Sequence, residues 1–200
     1  MILLLAMVLG YFPALPISTI EVSAVERKIY KHVVVVGIDG MGNFNQKTST
    51  PNIDKIFKNN PKAAWTDYAM AANPNISSQC WTSMLTGVKP ELHGNTNDKV
   101  ENTSFTYNQP NYPTLFKLIR QSRPNAKMAC YSSWIGPANG MVEAGLNVDT
   151  LWTQYDDEAL VAGCESYIKA NKPDFFFCVF NDVMLPDTVK TGAARNKWPN

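Results

Sequence analysis

Residues 32–42 read His-Val-Val-Val-Val-Gly-Ile-Asp-Gly-Met-Gly, and this stretch decides the fold. Its consecutive valines do not alternate with polar residues, which predicts a strand covered on both faces, at the centre of a parallel sheet. The strand ends at Asp39, where flanking glycines let the backbone turn sharply. Ligands of open α/β sheets bind outside the carboxyl ends of the strands. Asp39 is therefore either a cation ligand at that edge or a turn residue that caps the next segment.

Apolar periodicity predicts further strands and helices along the chain. Extended stretches are expected at 63–72, 127–131 and 175–180, the last of them fully buried. Helices are expected from Pro51, with Thr50 as N-cap and an apolar face on the sheet, and over 78–86, 113–122 and 156–169. Residues 132–154 show neither period and predict a loop beside a pocket. This alternation indicates an α/β fold, a doubly wound, mostly parallel sheet with helices on both faces.

The composition is that of one globular domain with a core, since 45% of the residues are hydrophobic and 18% are charged. Basic residues number 18 and acidic residues 17, and no long basic run occurs. A nucleic-acid binder would carry a basic surface, so nucleic acid is not expected as a partner. The expected partner is a small molecule.

Residues 1–24 are expected to form a secretory signal. The apolar run from Ile2 to Ile17 is short and interrupted by prolines, and Val22-Ser23-Ala24 offers small residues for cleavage. No Lys or Arg precedes the run, so an uncleaved anchor is the alternative. Either reading predicts export, with a secreted, periplasmic or extracellular product and no membrane span after signal removal.

Export would permit disulfides among the four cysteines, Cys80, Cys130, Cys164 and Cys178. Four cysteines allow three pairings, which the sequence does not separate. Cys178 lies in an apolar strand and Cys164 on the apolar face of a helix, so buried free thiols are expected at least as much as bridges. None of the four has metal-site spacing.

The second informative stretch begins at Asn75 and places Ser77 where a loop becomes a helix, at or just before the N-cap. The free amides and positive dipole end of a helix favour an alkoxide on the serine and a bound phosphate or sulfate beside it. The alternative is structural, because serine is a favoured N-cap and a cap contributes roughly 1 kcal/mol.

The order of these motifs resembles the N-terminal half of the alkaline phosphatase superfamily, and within it the type I phosphodiesterase and nucleotide pyrophosphatase branch. The resemblance spans about residues 30–182. It rests on Gly-Ile-Asp-Gly-Met at 37–41, Thr-Pro-Asn-Ile-Asp at 50–54, Ser77 nine residues before Thr86-Gly87, and Pro-Glu-Leu-His-Gly at 90–94.

The resemblance implies roles for particular residues. Asp39 and Ser77 are implied as ligands of a centre that holds two divalent ions, usually zinc, and Ser77 is also implied as the nucleophile. Asn97 is implied as the residue that holds the phosphoryl oxygens of a small phosphorylated substrate, with Asn95 as the alternative. His93 is expected to order a turn and not to bind a metal.

The chain also departs from the family pattern. Ser77 and Gln79 stand where most nucleotide pyrophosphatases have threonine and proline, so nucleotide substrates are not assured. Sulfatase activity is disfavoured because Trp81 stands where sulfatases carry an arginine.

Further metal ligands are implied after 175–180, as Asp-x-x-x-His, an Asp-His pair and a final His, and none of them is present before Asn200. The only histidines are His32 and His93. Residues 25–183 are therefore expected to be the N-terminal part of the domain, and 184–200 a divergent tail. A shift of the reading frame by one base after Val183 would restore Asp-Ala-x-Gly-His there.

Two functions follow from these observations. The first is an exported metal-dependent phosphohydrolase that is inactive as this chain because most metal ligands are missing. The second is a non-catalytic relic or binding module of the same fold.

Overall fold

A computed structural model describes residues 30–66 and 68–183, without the side chains of Phe44 and Asn45. All of them except Tyr30 belong to one compact unit, which begins at Lys31. The expected signal at 1–24 and the expected divergent tail at 184–200 lie outside the described residues, so both stay predictions.

The described strands form one sheet. They are β1 (Val33–Ile38), β2 (Met128–Ser132), β3 (Asp149–Trp152) and β4 (Phe175–Phe180). The spatial order is β1-β4-β2-β3 and every pair is parallel. The predicted α/β class with a parallel sheet is confirmed, and β4 has the bounds expected from its uninterrupted apolar sequence.

Helices fill the connections between these strands. They are α1 (Phe44–Lys47), α2 (Pro51–Ile56), α3 (Ser77–Thr86), α4 (Pro90–His93), α5 (Asn97–Glu101), α6 (Leu115–Ser122), α7 (Ile135–Gly140) and α8 (Asp157–Asn171). No helix in the described part of the chain has the length and apolar character needed to cross a membrane.

Both faces of the sheet are covered, because alternate residues of β4 enter different apolar clusters. Phe175 and Phe177 belong to a cluster that includes Phe116 of α6. The Phe116 and Phe175 rings meet edge to face with their centroids 5.1 Å apart. Phe176 lies in the opposite cluster together with Leu160 of α8. This two-sided packing accounts for the lack of polar residues in β4.

The strand β1 differs from its prediction. It pairs only with β4 among the described strands, so it lies at an edge of the sheet and not at the centre. One face, carrying Val35, packs against the cluster around Phe177. On the other face Val34 is 49% exposed and Val36 is 58% exposed. The valine run predicted a strand correctly, but residues 30–66 and 68–183 do not supply the expected cover for this face or a neighbour for this edge.

The helix α2 begins at Pro51 with Thr50 as its N-cap, as predicted. It contains no buried residue, and Ile56 and Phe57 are 56% and 44% exposed. Its apolar side faces Val36 across a cavity of about 880 Å³ and does not pack tightly on the sheet. The expected position of α2 is therefore only partly right.

Two other local predictions were wrong. Residues 63–66 and 68–72 form no strand. Residues 132–154 were expected to be a loop, but they contain α7 and β3. The helix α7 escapes a periodicity test because its sequence, Ile-Gly-Pro-Ala-Asn-Gly, has only one large apolar residue. The strand β3 has only four residues, which is too few to show alternation.

All four cysteines are free thiols, and Cys130, Cys164 and Cys178 are buried. The structure therefore agrees with the alternative of buried thiols and contains none of the three disulfide pairings. Burial raises the pKa of the Cys130 thiol, so this group stays protonated and unreactive at neutral pH.

Candidate functional site

Asp39 lies at the carboxyl edge of the sheet, directly after β1. Its backbone N–H donates to the carbonyl of Phe180 at 2.8 Å, which continues the pairing of β1 with β4. Its Oδ2 atom accepts hydrogen bonds from Nε1 of Trp81 and from Nδ2 of Asn181, each at 3.3 Å. Both hydrogen bonds go to the same oxygen. The other oxygen, Oδ1, accepts no hydrogen bond from the described residues. The carboxylate is thus held by α3 on one side and by the end of β4 on the other.

Ser77 is the first residue of α3. The N-cap is Ile76, with extended backbone angles of −120° and 135°, so Ser77 lies one position further into the helix than predicted. The N-cap residue itself supplies no side-chain hydrogen bond to the start of the helix. The helix ends at Gly87, whose φ of 72° suits glycine. Backbone N–H groups in the first turn of α3 have no partner within the helix, and the dipole there favours an anion.

A cavity of about 780 Å³ contains both predicted residues. Asp39 and Ser77 line it together, and Gly40 and Asn75 are also among its lining residues. The expectation that a strand end and a helix start meet at the carboxyl edge therefore describes the structure. The chemical roles of the two residues stay predictions.

Sequence reasoning missed the part that Trp81 plays in this site. The indole ring packs directly over Gly37, where a Cβ atom would lie 2.5 Å from Cη2 of the ring. The ring also meets Phe177 edge to face, with centroids 6.2 Å apart. Trp81 follows Ser77 by one helical turn, and this spacing was the available signal that both side chains share a face of α3.

Asn181, the residue directly after β4, was also missed. Metal-ligand motifs such as Asp-x-x-x-His were the only site residues expected after this strand. Its Oδ1 accepts a hydrogen bond from the Ser133 hydroxyl at 3.3 Å. Its backbone N–H donates to Ser133 Oγ and to Asp157 Oδ1, both at 3.1 Å. The residue is fully buried, so these contacts orient its amide and direct Nδ2 at Asp39. No short motif marks such an arrangement in the sequence.

Asn97, the predicted phosphoryl-binding residue, lies beside the start of α3. Its Oδ1 atom accepts a hydrogen bond from the N–H of Ser78 at 3.1 Å. This bond uses the amide oxygen and leaves the two N–H donors of Nδ2 available. No described residue accepts a hydrogen bond from them. Asn97 is therefore next to the start of α3 with donors available, but it is not among the described residues that line the cavity shared by Asp39 and Ser77, and its phosphoryl-binding role stays a prediction.

Asn95, the alternative, has a structural environment. It is 2% exposed, and its Nδ2 donates to Thr82 Oγ1 at 2.9 Å and to the Gly140 carbonyl at 3.3 Å. These internal bonds occupy the donors that a phosphoryl oxygen would need. The geometry favours Asn97 over Asn95.

His93 is an interior residue, as expected. It is 1% exposed, and its Nδ1 accepts a hydrogen bond from the N–H of Asn95 at 3.1 Å. Its Nε2 lies 3.1 Å from Ser83 Oγ and 3.2 Å from the Gln79 carbonyl. Burial lowers the pKa of this imidazole below its ordinary value, so the ring is neutral and orders the turn after α4.

Tyr155 adds a neutral group to the surroundings of Asp39. Burial, together with the negative charges of Glu101 and Asp39, raises its pKa to about 12. The phenol therefore keeps its proton at neutral pH and adds no charge near the carboxylate.

Carboxylate and hydroxyl oxygens are donors that divalent cations take, so Asp39 and Ser77 suit one side of a metal site. A catalytic zinc centre needs about three protein ligands. Among residues 30–66 and 68–183, no three His, Cys, Asp or Glu side chains come together to hold a metal. The described donors therefore do not make a metal centre by themselves.

Comparisons with known proteins bear on this site. The family model described as type I phosphodiesterase / nucleotide pyrophosphatase matches residues 33–183. A search of the curated proteins found no match. The matched range starts at the first residue of β1 and ends just beyond β4, so it includes Asp39, Ser77 and Asn97. The parallel sheet with its helices is consistent with an alkaline-phosphatase-like domain, as the resemblance implied.

Proposed function

The chain belongs to the type I phosphodiesterase / nucleotide pyrophosphatase family, and from this premise we propose that it is an exported, metal-dependent phosphohydrolase with a serine nucleophile. The family acts on small phosphoesters. The observation that carries the proposal is the cavity shared by Asp39 and Ser77, at the carboxyl edge of the sheet and at the start of α3. A carboxylate, a hydroxyl and free helix amides meet there, and phosphoryl transfer needs such groups.

Ser77 is the proposed nucleophile. Its Oγ attacks phosphorus in line with the leaving group, a P–O bond to the serine forms, and the bond to the ester oxygen breaks. The serine proton passes to solvent and the alcohol leaves with a proton taken from solvent. Water then hydrolyses the phosphoseryl ester, which releases the phosphate product and returns the hydroxyl to Ser77. The amides of the first turn of α3 favour the negative charge that builds on the phosphoryl oxygens.

Asn97 is the proposed phosphoryl-binding residue. Its carbonyl is occupied by the N–H of Ser78, which leaves two N–H donors for an equatorial oxygen. A donor fixed before the reaction stabilises charge that develops in the transition state more than charge in the ground state.

The family is generally metal-dependent, and we propose that Asp39 and Ser77 are this chain's ligands. A divalent ion there would lower the pKa of the serine hydroxyl and offset the charge on phosphorus. His32 is at the start of β1, where its Nδ1 lies 2.8 Å from the Pro173 carbonyl oxygen, and Asp39 is after the end of that strand. His93 is buried, so neither histidine reaches Asp39. With the ligand set incomplete, we propose that residues 1–200 alone are inactive.

The test is zinc binding together with turnover. The full chain is dialysed against zinc, excess ion is removed, and bound metal and hydrolysis of a chromogenic phosphodiester are measured. We expect fewer than two tightly bound zinc ions and no turnover above that of Ser77→Ala. Two equivalents of zinc with Ser77-dependent turnover would contradict the proposed inactivity and establish the chain as an active phosphohydrolase.

The alternative, a non-catalytic relic or binding module, differs in what the site retains. A phosphohydrolase site still binds a phosphate analogue at Ser77, whereas a relic that has lost the site does not. The cavity shared by Asp39 and Ser77, and the bond of Asn97 to Ser78 at the start of α3, support the first function.

Export is proposed from residues 1–24, whose apolar run and small residues suit a cleaved signal. Expression of the full chain in a secreting host, followed by N-terminal sequencing of the product, tests it. A new terminus near residue 25 is expected, and a product that keeps Met1 inside the cell would contradict export.

A further inference from the structure

The face of α3 that carries the proposed nucleophile is otherwise mostly apolar. Ser77, Cys80, Trp81 and Met84 follow one another at intervals of three and four residues, and all four line the 780 Å³ cavity. The cavity wall beyond Ser77 is thus formed by a thiol, an indole and a thioether, together with Ser83, whose hydroxyl lies 3.1 Å from His93 Nε2. A group attached to a phosphoryl at Ser77 would lie along these side chains.

Most of the other residues that line the cavity are apolar as well. These apolar residues are Ile38, Met41, Met70, Ala71 and Ala72. With Met84, three methionines surround one cavity, and methionine adapts its flexible side chain to apolar groups of different shape. Such a lining favours an alkyl or aryl group and does not specify one particular ring.

The charge of the cavity supports the same conclusion. Asp39 is the only charged residue among those that line it in the described part of the chain, and no Lys, Arg or His is among them. The cation of the neighbouring cavity, Lys58, lies 3.2 Å from Asp54 in an ion pair. The start of α3 suits one phosphoryl group, but no basic side chain would neutralise a second phosphate in the apolar part.

We propose that this cavity accepts a phosphodiester with one negative charge and an apolar alkyl or aryl ester group, and that it discriminates against pyrophosphates. The inference rests on the proposed function, because it assumes that the phosphoryl group binds at Ser77. It goes further by assigning one ester group of the substrate to the Trp81 and Met84 face of α3.

Isothermal titration calorimetry of the full chain tests the proposal without requiring turnover. The probes are diphenyl phosphate, dimethyl phosphate, inorganic pyrophosphate and phenol. The test variant is Met84→Lys, and the matched control is Leu118→Lys. Both positions are on helices and similarly exposed, at 44% and 46%, so neither lysine is buried.

Diphenyl phosphate is expected to bind about tenfold or more tightly than dimethyl phosphate, because burial of one aromatic ring supplies at least that factor. Met84→Lys should weaken the binding of diphenyl phosphate about tenfold and strengthen the binding of pyrophosphate. Leu118→Lys should change neither affinity. If the unmodified chain binds pyrophosphate more tightly than diphenyl phosphate, the inference is overturned, and the phosphoryl site of the proposed function stays in place. Equal binding of phenol and diphenyl phosphate would overturn it through its premise, and so would an absence of binding by all four probes.

Discussion

At the scale of single residues, the orientation of Asp39 depends on an indole that fits only over a glycine. Trp81 reaches the carboxylate because Gly37 has no side chain beneath the ring. Asn181 donates to the same oxygen from the other side. The two donors fix the orientation of the carboxylate before any ligand binds. A preorganised group loses less conformational entropy on binding.

Gly37→Ala should therefore destabilise the fold by about 1–3 kcal/mol, since the new Cβ lies too close to the Trp81 ring. Urea unfolding measures the loss. In a Trp81→Leu background the clash is absent, so the cost of Gly37→Ala should fall to a few tenths. An equal cost in both backgrounds would show that Trp81 does not lie over Gly37.

The two asparagines should respond differently to substitution. Asn95→Ala should destabilise the protein by about 1–3 kcal/mol, because the Thr82 hydroxyl and the Gly140 carbonyl lose a buried donor. Asn97→Ala should change stability by less than about 1 kcal/mol but weaken binding of a phosphate analogue. Paired urea unfolding and calorimetry compare the variants, and the reverse pattern would exchange their roles.

His93 should make stability depend on pH. Its pKa is lowered by burial, so the unfolded chain binds a proton below pH about 6.5 while the folded chain does not. The contribution is complete above that pH and is lost as pH falls towards the lowered pKa. Urea unfolding should give lower stability at pH 5.5 than at pH 7.5, with a smaller difference in His93→Gln. The same difference in both proteins would contradict this role.

At the scale of elements, β1 and β4 show how far an apolar run can be interpreted. Both lack alternation, and both are strands, as predicted. The strand β4 is central and covered, whereas β1 lies at an edge with Val36 exposed. An apolar run indicates that a strand is suited to burial. It does not indicate which neighbouring strands and helices cover that strand among the described residues. Short elements such as β3 and the glycine-rich α7 gave no periodic signal, so the sequence could not predict them.

The two faces of β1 should therefore tolerate polarity differently. Val35→Thr places a hydroxyl against the apolar cluster and should cost about 1 kcal/mol or more, while Val36→Thr should change stability by less than about 0.5 kcal/mol. Val36→Thr should also reduce association of the chain, because a flat apolar edge promotes strand pairing between molecules. Urea unfolding and analytical ultracentrifugation test both statements. A greater loss of stability in Val36→Thr would show that this face is covered.

At the scale of the whole molecule, the parallel sheet brings residues far apart in sequence to one edge. Asp39 follows β1, Asn181 follows β4, and α3 packs near both. Strand ends and helix starts could be recognised in the sequence, which is why Asp39 and Ser77 were predicted, whereas Asn97 was predicted from the family resemblance. Trp81 and Asn181 hold the site through tertiary contacts that no local pattern encodes. The apolar lining of the cavity likewise follows only from how α3 faces the segment around Met70.

The central claim is that Asp39 and Ser77 form a phosphoryl site at the carboxyl edge of the sheet. A crystal structure of the full chain soaked with tungstate, a phosphate analogue with strong anomalous scattering, tests it most directly. We predict one anomalous peak at the start of α3, within hydrogen-bond distance of Ser77 Oγ and Asn97 Nδ2, in the cavity that Asp39 lines. Asp39 and Ser77 on opposite edges of the sheet, or tungstate bound only away from α3, would contradict the account.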